Sequence, residues 1–174
     1  PEKTFKYVLI PEENTKALQE LTIKYSDETL VPCLTNACKK HYQKKVIQHK
    51  ELYREQIIAQ LKDKDPNVQI QDNMLNMLTK VQLVSIEPLL YNEKNNDYYG
   101  VSLYCDDSAA SKNSVVNTRA TSIAHACGKN INVIGDAFLS ASKDDQKDYF
   151  IRCDFTIGDL DGKNNNWIQR AKVQ

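Results

Sequence analysis

The sequence predicts an α+β protein: an N-terminal helical segment with one long helix, packed on a small mixed α/β domain. Three observations predict it. All five prolines (1, 11, 32, 66 and 88) lie in the first 88 residues, whereas all five glycines (100, 128, 135, 158 and 162) follow residue 99. The acids divide the same way, since nine glutamates precede Lys94 while Asp106–Asp161 holds nine aspartates and no glutamate. Proline presets the first turn of a helix, and glycine supplies the positive φ of turns and helix ends. The third observation is a long apolar stripe at helical spacing between Thr35 and Lys62. Residues 1–93 are therefore expected to form a mainly helical segment leading into the first strand of a sheet. Residues 94–174 are expected to form an α+β domain, and the two together one compact unit.

Taken in order, Phe5–Ile10 suits a short strand or an extended arm. Pro11-Glu12-Glu13 reads as a helix start with acids at the positive end of the dipole, followed by a stripe of Ala17, Leu18, Leu21 and Tyr25. Ser26 to Thr29 suits a further cap before Pro32 interrupts the chain. Cys38, Tyr42, Val46, His49, Tyr53, Ile57 and Leu61 then recur at three- and four-residue steps, the strongest helical signal present. Asp65-Pro66 ends that helix, and Asp72 caps a shorter one carrying Met74, Leu75 and Leu78.

Val81–Tyr91 has strand composition, with Pro88 marking an edge or an end. Tyr99, Val101, Leu103 and Cys105 alternate as the inward face of a second strand, and Asp106–Ser114 is a polar loop. Asn117 caps a helix running through Ala126, with Gly128 at the left-handed C-terminal cap. Ile131–Ser140 and Tyr149–Ile157 read as two strands around a turn near Ser142–Lys147; in the second, Tyr149, Ile151, Cys153, Phe155 and Ile157 share a face. Gly158–Gly162 is a turn and Trp167–Lys172 a closing helix. The order expected of the C-terminal domain is strand, strand, helix, strand, strand, helix.

Charge excludes some functions. Basic and acidic residues number 23 each, 14 of each through Asp97 and nine of each after it, so no global basic field favours nucleic acid. No apolar run approaches the roughly 18 residues of a membrane helix, and Pro1–Ile10 lacks a signal-peptide pattern. Five cysteines, an odd number in a chain of this length, point to reduced thiols in the cytoplasm, with the nucleus as a second compartment.

Several clusters invite chemistry. Cys33, Cys38, His41 and His49 are zinc-ligand types, but on a straight helix Cys38 and His49 stand about 16 Å apart along the axis. No metal is therefore assigned, and His49 is expected to be partly buried at a packed interface. His125 and Cys127 point apart on one helix and cannot pair as base and nucleophile, so Cys127 is expected to be a small core residue. The pairs Asp106-Asp107, Asp144-Asp145 and Asp159-Leu160-Asp161 suit turns and caps better than a cation site. Tyr91, Tyr98, Tyr99 and Tyr104 cluster near the junction of the halves, as strands and interfaces both do. A further group joins Asn117, Arg119, Thr121, Asp136, Arg152 and Asp154. Here Arg152 is expected to fork a carboxylate of Asp136 or Asp154, with Asn117, Asp136 and Asp154 forming a structural polar network.

The stretch His41-Tyr-Gln-Lys-Lys-Val-Ile-Gln-His49-Lys-Glu-Leu-Tyr53 resembles the closing helix of a MYND-type zinc finger, with His49 at a ligand position. It departs from that pattern at Ala37, His41 and Tyr53, where the finger has cysteines, and residues 1–32 contain no paired cysteines. In the second half, Asn117-Thr-Arg-Ala-Thr121, Ala126-Cys-Gly128, Gly135-Asp-Ala-Phe138, Arg152-Cys-Asp-Phe-Thr156 and Trp167 resemble, in order and spacing, a domain of small MYND-finger-family proteins of fungi and other eukaryotes. The resemblance implies a role in protein interaction or assembly, because MYND fingers bind partner peptides.

The function expected from these features is a non-catalytic protein-interaction protein such as an adaptor, assembly factor or co-chaperone, with no cofactor and no catalytic residues. Lys39, Lys40, Lys44 and Lys45 on the long helix, together with Arg119 and Arg152, are the candidate partner-binding residues, meeting an acidic docking segment of another protein. The alternative is a small metal-assisted hydrolase or transferase using the Asp136/Arg152/Asp154 face. A membrane partner is not expected, and nucleic acid is disfavoured.

Overall fold

The computed structural model describes residues 2–79, 83–109, 114–144, 150–162 and 164–174, with backbone alone at 79 and 150. The elements run β1 (Lys3–Ile10), β2 (Gln19–Tyr25), α1 (Cys33–Gln48), α2 (Lys50–Lys64), α3 (Asp72–Thr79), β3 (Val84–Glu93), β4 (Tyr99–Asp106), α4 (Thr118–Ala126), β5 (Ala137–Asp144), β6 (Phe150–Cys153) and α5 (Asn166–Lys172). Among the described residues these make a mixed α+β protein of five helices and one six-stranded antiparallel sheet. Its order is β2-β1-β5-β4-β3, with β6 also pairing β5. The first half of β5 pairs β1 (Val8 opposite Leu139) and its second half pairs β6 (Ala141 opposite Cys153). The segment after β6 then turns against β1, where the Phe155 N–H donates to the Lys6 carbonyl at 2.9 Å.

The N-terminus departs most from expectation. It opens not with helix but with a β-hairpin whose first strand lies inside the sheet, bonded on both sides. Tyr7, Val8, Leu9 and Ile10 are all buried, because alternate side chains enter the cores on opposite faces. Pro11–Glu13 belongs to the hairpin connection rather than to a helix. In β2 the spacing of Leu18, Leu21 and Tyr25 fits a helix, but the fuller pattern has period two: Leu21, Ile23 and Tyr25 are covered while Glu20, Thr22 and Lys24 are exposed. Strands from both sides of residue 93 thus build one sheet, with β3 bonded to β4 and β1 to β5.

The single long helix is also corrected. The chain breaks at His49 (φ −119°, ψ 25°) into α1 and α2. Backbone bonds continue across the break, from the His49 N–H to Lys45 and from the Tyr53 N–H to His49, so it leaves few polar groups unpaired. Tertiary burial decides its place: α1 buries Leu34, Cys38, Tyr42 and Val46, whereas α2 fully buries only Ile57. His49 is exposed at the corner, with its ring 6.1 Å from that of Tyr53, not partly buried as expected.

One face of the sheet packs on α1 through Phe5, Tyr7, Tyr104 and Phe138. The other packs on α4 and α5, where Ala120 and Ala124 allow close approach and Trp167 meets Phe155 edge-on at 5.7 Å. Two C-terminal strands are shorter than their patterns. Gly135, at φ 81°, delays β5 to Ala137, so residues 131–136 form a connection instead of strand. β6 ends at Cys153, leaving Ile151 exposed while Phe155 is fully buried, so the predicted shared face is not kept. The expected strand start at Val81 and Gln82, residues 145–147 of the expected turn, and Tyr149 lie outside the described residues.

Asn117 caps α4 by accepting from the Ala120 N–H at 3.1 Å, and its amide donates to the carbonyls of Ile10 and Gly135 at 2.8 and 2.9 Å. It is wholly buried, so every one of those groups depends on it. Asn117→Ala should therefore lower unfolding stability by about 2–4 kcal/mol, a lost cap plus orphaned buried carbonyls. Urea unfolding checks this, and a loss under about 1 kcal/mol would show that the site relaxes around the missing amide.

Candidate functional site

The densest polar cluster gathers around Asp136, the residue between Gly135 and β5. His41 and Lys45, one turn apart on α1, both reach it. His41 Nε2 lies 2.8 Å from Asp136 Oδ2; a carboxylate can only accept, so Nε2 carries the proton. Lys45 Nζ lies 3.2 Å from the same oxygen and 2.7 Å from Glu12 Oε1. The Glu12 backbone N–H donates to Asp136 Oδ1 at 2.9 Å, and the Tyr42 hydroxyl donates to the Asp136 carbonyl at 2.7 Å. Glu12 Oε2 in turn accepts from the Val115 N–H at 3.0 Å. The carboxylates, His41 and Lys45 therefore tie α1 and the hairpin loop to the start of β5.

Electrostatics follow from this crowding. Burial by itself would raise the Asp136 carboxyl, but the His41 hydrogen bond, the Glu12 N–H and the Lys45 charge outweigh it and hold the group at about 2. Burial pulls the Lys45 ammonium down, yet Glu12 and Asp136 overcome that and leave it raised. A carboxylate so stabilised is a poor proton acceptor near neutrality. Beside the cluster opens a cleft of about 230 Å³ whose walls include Leu9, Pro11, Lys16, His41 and Lys44. Its lining carries the amines of Lys16, Lys44 and Lys45, the amides of Gln19 and Gln48, the carboxylates of Glu13 and Asp136 and the His41 imidazole, with no hydroxyl or thiol side chain.

The other residues singled out from sequence are distributed as follows. Lys39, Lys40 and Lys44 are exposed on α1, whereas Lys45 is turned into the Asp136 cluster. Arg119 donates to the carbonyls of Pro11 and Glu13 at 2.9 and 3.0 Å, clamping the hairpin loop from α4. Arg152 donates to the Tyr104 hydroxyl at 3.1 Å and the Val31 carbonyl at 3.3 Å, with its guanidinium 5.7 Å from the Phe5 ring centroid. It lines an open groove of about 460 Å³ with Val31, Ile86 and Tyr91.

The expected Asp136/Arg152/Asp154 face does not assemble. Arg152 pairs across the sheet with Ser142, six residues along β5 from Asp136, a separation of about 20 Å. Asp136 takes His41 and Lys45 as partners instead, and Asp154 accepts from the Lys6 N–H at 2.8 Å. Asn117 and Asp136 do adjoin, through the Gly135 carbonyl. Sequence reasoning missed His41, Tyr42 and Glu12 as partners of Asp136. The four-residue spacing of His41 and Lys45 put both on one helix face, but nothing local tied that face to position 136.

The cysteines offer no reactive centre. Burial pushes the Cys38 thiol up to about 12 and Cys127 to about 11, as befits core residues. Among the described residues, no group of three or more His, Cys, Asp or Glu is placed to hold a metal. Cys33 and Cys38 face the α1 core, His41 is engaged by Asp136 and His49 is exposed. Among those residues, too, no helix is long and apolar enough to cross a membrane. Comparison with known proteins finds no matching family model, no matching curated protein and no matching solved structure.

Because the folded carboxyl titrates below its ordinary 3.8, Asp136 contributes stability that is full above that value and lost as pH falls toward 2. That contribution amounts to about 2 kcal/mol at neutral pH. Asp136→Asn should lose about this much at pH 7 and show a shallower acid slope between pH 4 and 2, read by urea unfolding across a pH series. An unchanged slope would mean the carboxylate is not the linked group.

Proposed function

We propose that this chain is a non-catalytic protein-interaction protein, acting as an adaptor, assembly factor or co-chaperone, that docks an acidic segment of another protein along the solvent face of α1. One observation carries the reading. Lys39, Lys40 and Lys44 are exposed there with no carboxylate partner among the described residues, while Lys3, Lys24, Lys45, Arg54 and Arg170 each have one. Unpaired like charges one turn apart repel mildly, and an incoming acidic strand or helix relieves that repulsion.

Other features support a binding role. The polar groups best suited to catalysis, His41 and Asp136, are engaged with one another and with Lys45. Arg119 and Arg152 donate to backbone carbonyls, so of the six cations singled out from sequence Lys39, Lys40 and Lys44 are the ones with no partner among the described residues. Five cysteines without disulfides support action in the cytoplasm or nucleus.

Each exposed lysine–carboxylate contact contributes about 0.2–1 kcal/mol, so removing three should weaken binding by about threefold to 150-fold. The test purifies the tagged chain from its own cells and quantifies stoichiometric partners by mass spectrometry, for the native sequence and for K39E/K40E/K44E. Loss of the native partner from a variant with unchanged circular dichroism, with capture weakening as salt rises, is the expected outcome. Equal recovery of the same partner by the variant would remove α1 from the interface.

A further inference from the structure

The two strands that end the main strand order, β2 and β3, are treated differently. β3, at one end, carries Pro88 and two register irregularities, and the Gln174 side chain bonds both the Tyr91 N–H (2.9 Å) and its carbonyl (2.7 Å). Proline, bulges and a covering group are the devices by which proteins blunt an edge. β2, at the other end, has none of them. Its seven residues pair with β1 in unbroken register from Gln19 to Tyr25. Among the described residues nothing bonds its outer backbone groups.

The side chains along β2 are self-complementary. Glu20, Thr22 and Lys24 point to one face, Leu21 and Ile23 to the other. If a second copy adds its β2 antiparallel about a two-fold axis perpendicular to the sheet, facing residues must lie on the same face. Among registers that satisfy this, only the one centred on Thr22 sets each Glu20 opposite the other copy's Lys24. That register also places Leu21 against Ile23 and Thr22 against Thr22. Among the described residues Lys24 pairs with Glu2, and that pair is exposed on both sides (69% and 73%) and readily exchanged. Glu20 accepts from the Ile157 N–H at 3.1 Å through one oxygen and stands 3.6 Å from Lys6 through the other, leaving lone pairs for a further donor. A lone lysine would ordinarily discourage edge pairing, but in this register it meets a carboxylate.

We propose that the protein self-associates through β2, two copies joining antiparallel about Thr22 into one continuous sheet with reciprocal Glu20–Lys24 pairs. The interaction surface is independent of α1 and of the partner argued for it. A seven-residue ladder is a small interface of the transient class, so the equilibrium is to be followed over a wide concentration range.

The test is sedimentation equilibrium of the whole chain with charge-reversed variants. E20K and K24E each turn both reciprocal pairs into like-charge pairs, and each should raise the dimer dissociation constant about tenfold or more. The two variants mixed should recover a heterodimer, because one then presents lysine at both positions and the other glutamate. The double variant E20K/K24E should dimerise alone. Recovery on mixing also shows that both variants are folded. Three results would each overturn the proposal: a native chain still monomeric at about 1 mM, a dimer indifferent to either reversal, or monomeric variants that do not recover on mixing.

Discussion

The carboxamide of Asn117 and the carboxylate of Asp136 grip the same few residues of the hairpin loop, and the rest of the structure depends on that grip. Asn117 takes the Ile10 carbonyl from the side of α4, while Asp136 takes the Glu12 N–H and, through His41 and Lys45, the flank of α1. The helices on opposite faces of the sheet are thereby referenced to the same point, where β1 ends and β5 begins. Arg119 adds a third hold through Pro11 and Glu13. A connection that would otherwise be a mobile surface loop becomes the place where both cores are registered against each other.

This placement has a cost. Buried polar groups must be satisfied, so His41, Lys45 and the Glu12 N–H are committed to the Asp136 carboxylate. Asp136 is surrounded by donors and kept ionised, and the cations nearest the interior face carboxylates or carbonyls. Among the described residues, the outer lysines of α1 have no carboxylate partner and the outer edge of β2 has no backbone partner. The two lie on different elements.

Motif residues from the second half of the sequence turn out to hold structural posts. Asn117 caps and bridges, Gly128 and Gly135 adopt φ near +80°, and Trp167 donates to the Asp159 carbonyl while packing on Phe155. Only glycine takes such φ values without strain, and only a cap with donors to spare can serve α4 and the loop together. Their order and spacing are what this geometry demands, whatever the surface of the protein binds.

By itself the sequence determined the elements whose signals are local. The α4 cap at Asn117, the left-handed turn at Gly128 and the alternation of β4 were legible because each rests on a few adjacent residues, while Pro88 marked β3 as an edge or an end without choosing between them. The tertiary structure alone decided the rest. Leu21 and Tyr25, four apart, fit either a helix or a strand, and pairing with β1 selects the strand. The stripe from Cys38 to Leu61 is continuous in sequence, yet it breaks at His49 because the sheet beneath α1 offers no further surface to α2. The Asp136 cluster joins residues 12, 41, 45 and 136, which no spacing rule connects. Side-chain chemistry fixes what each of these groups can do, but which of them meet is set by strand order, and strand order is a property of long-range burial.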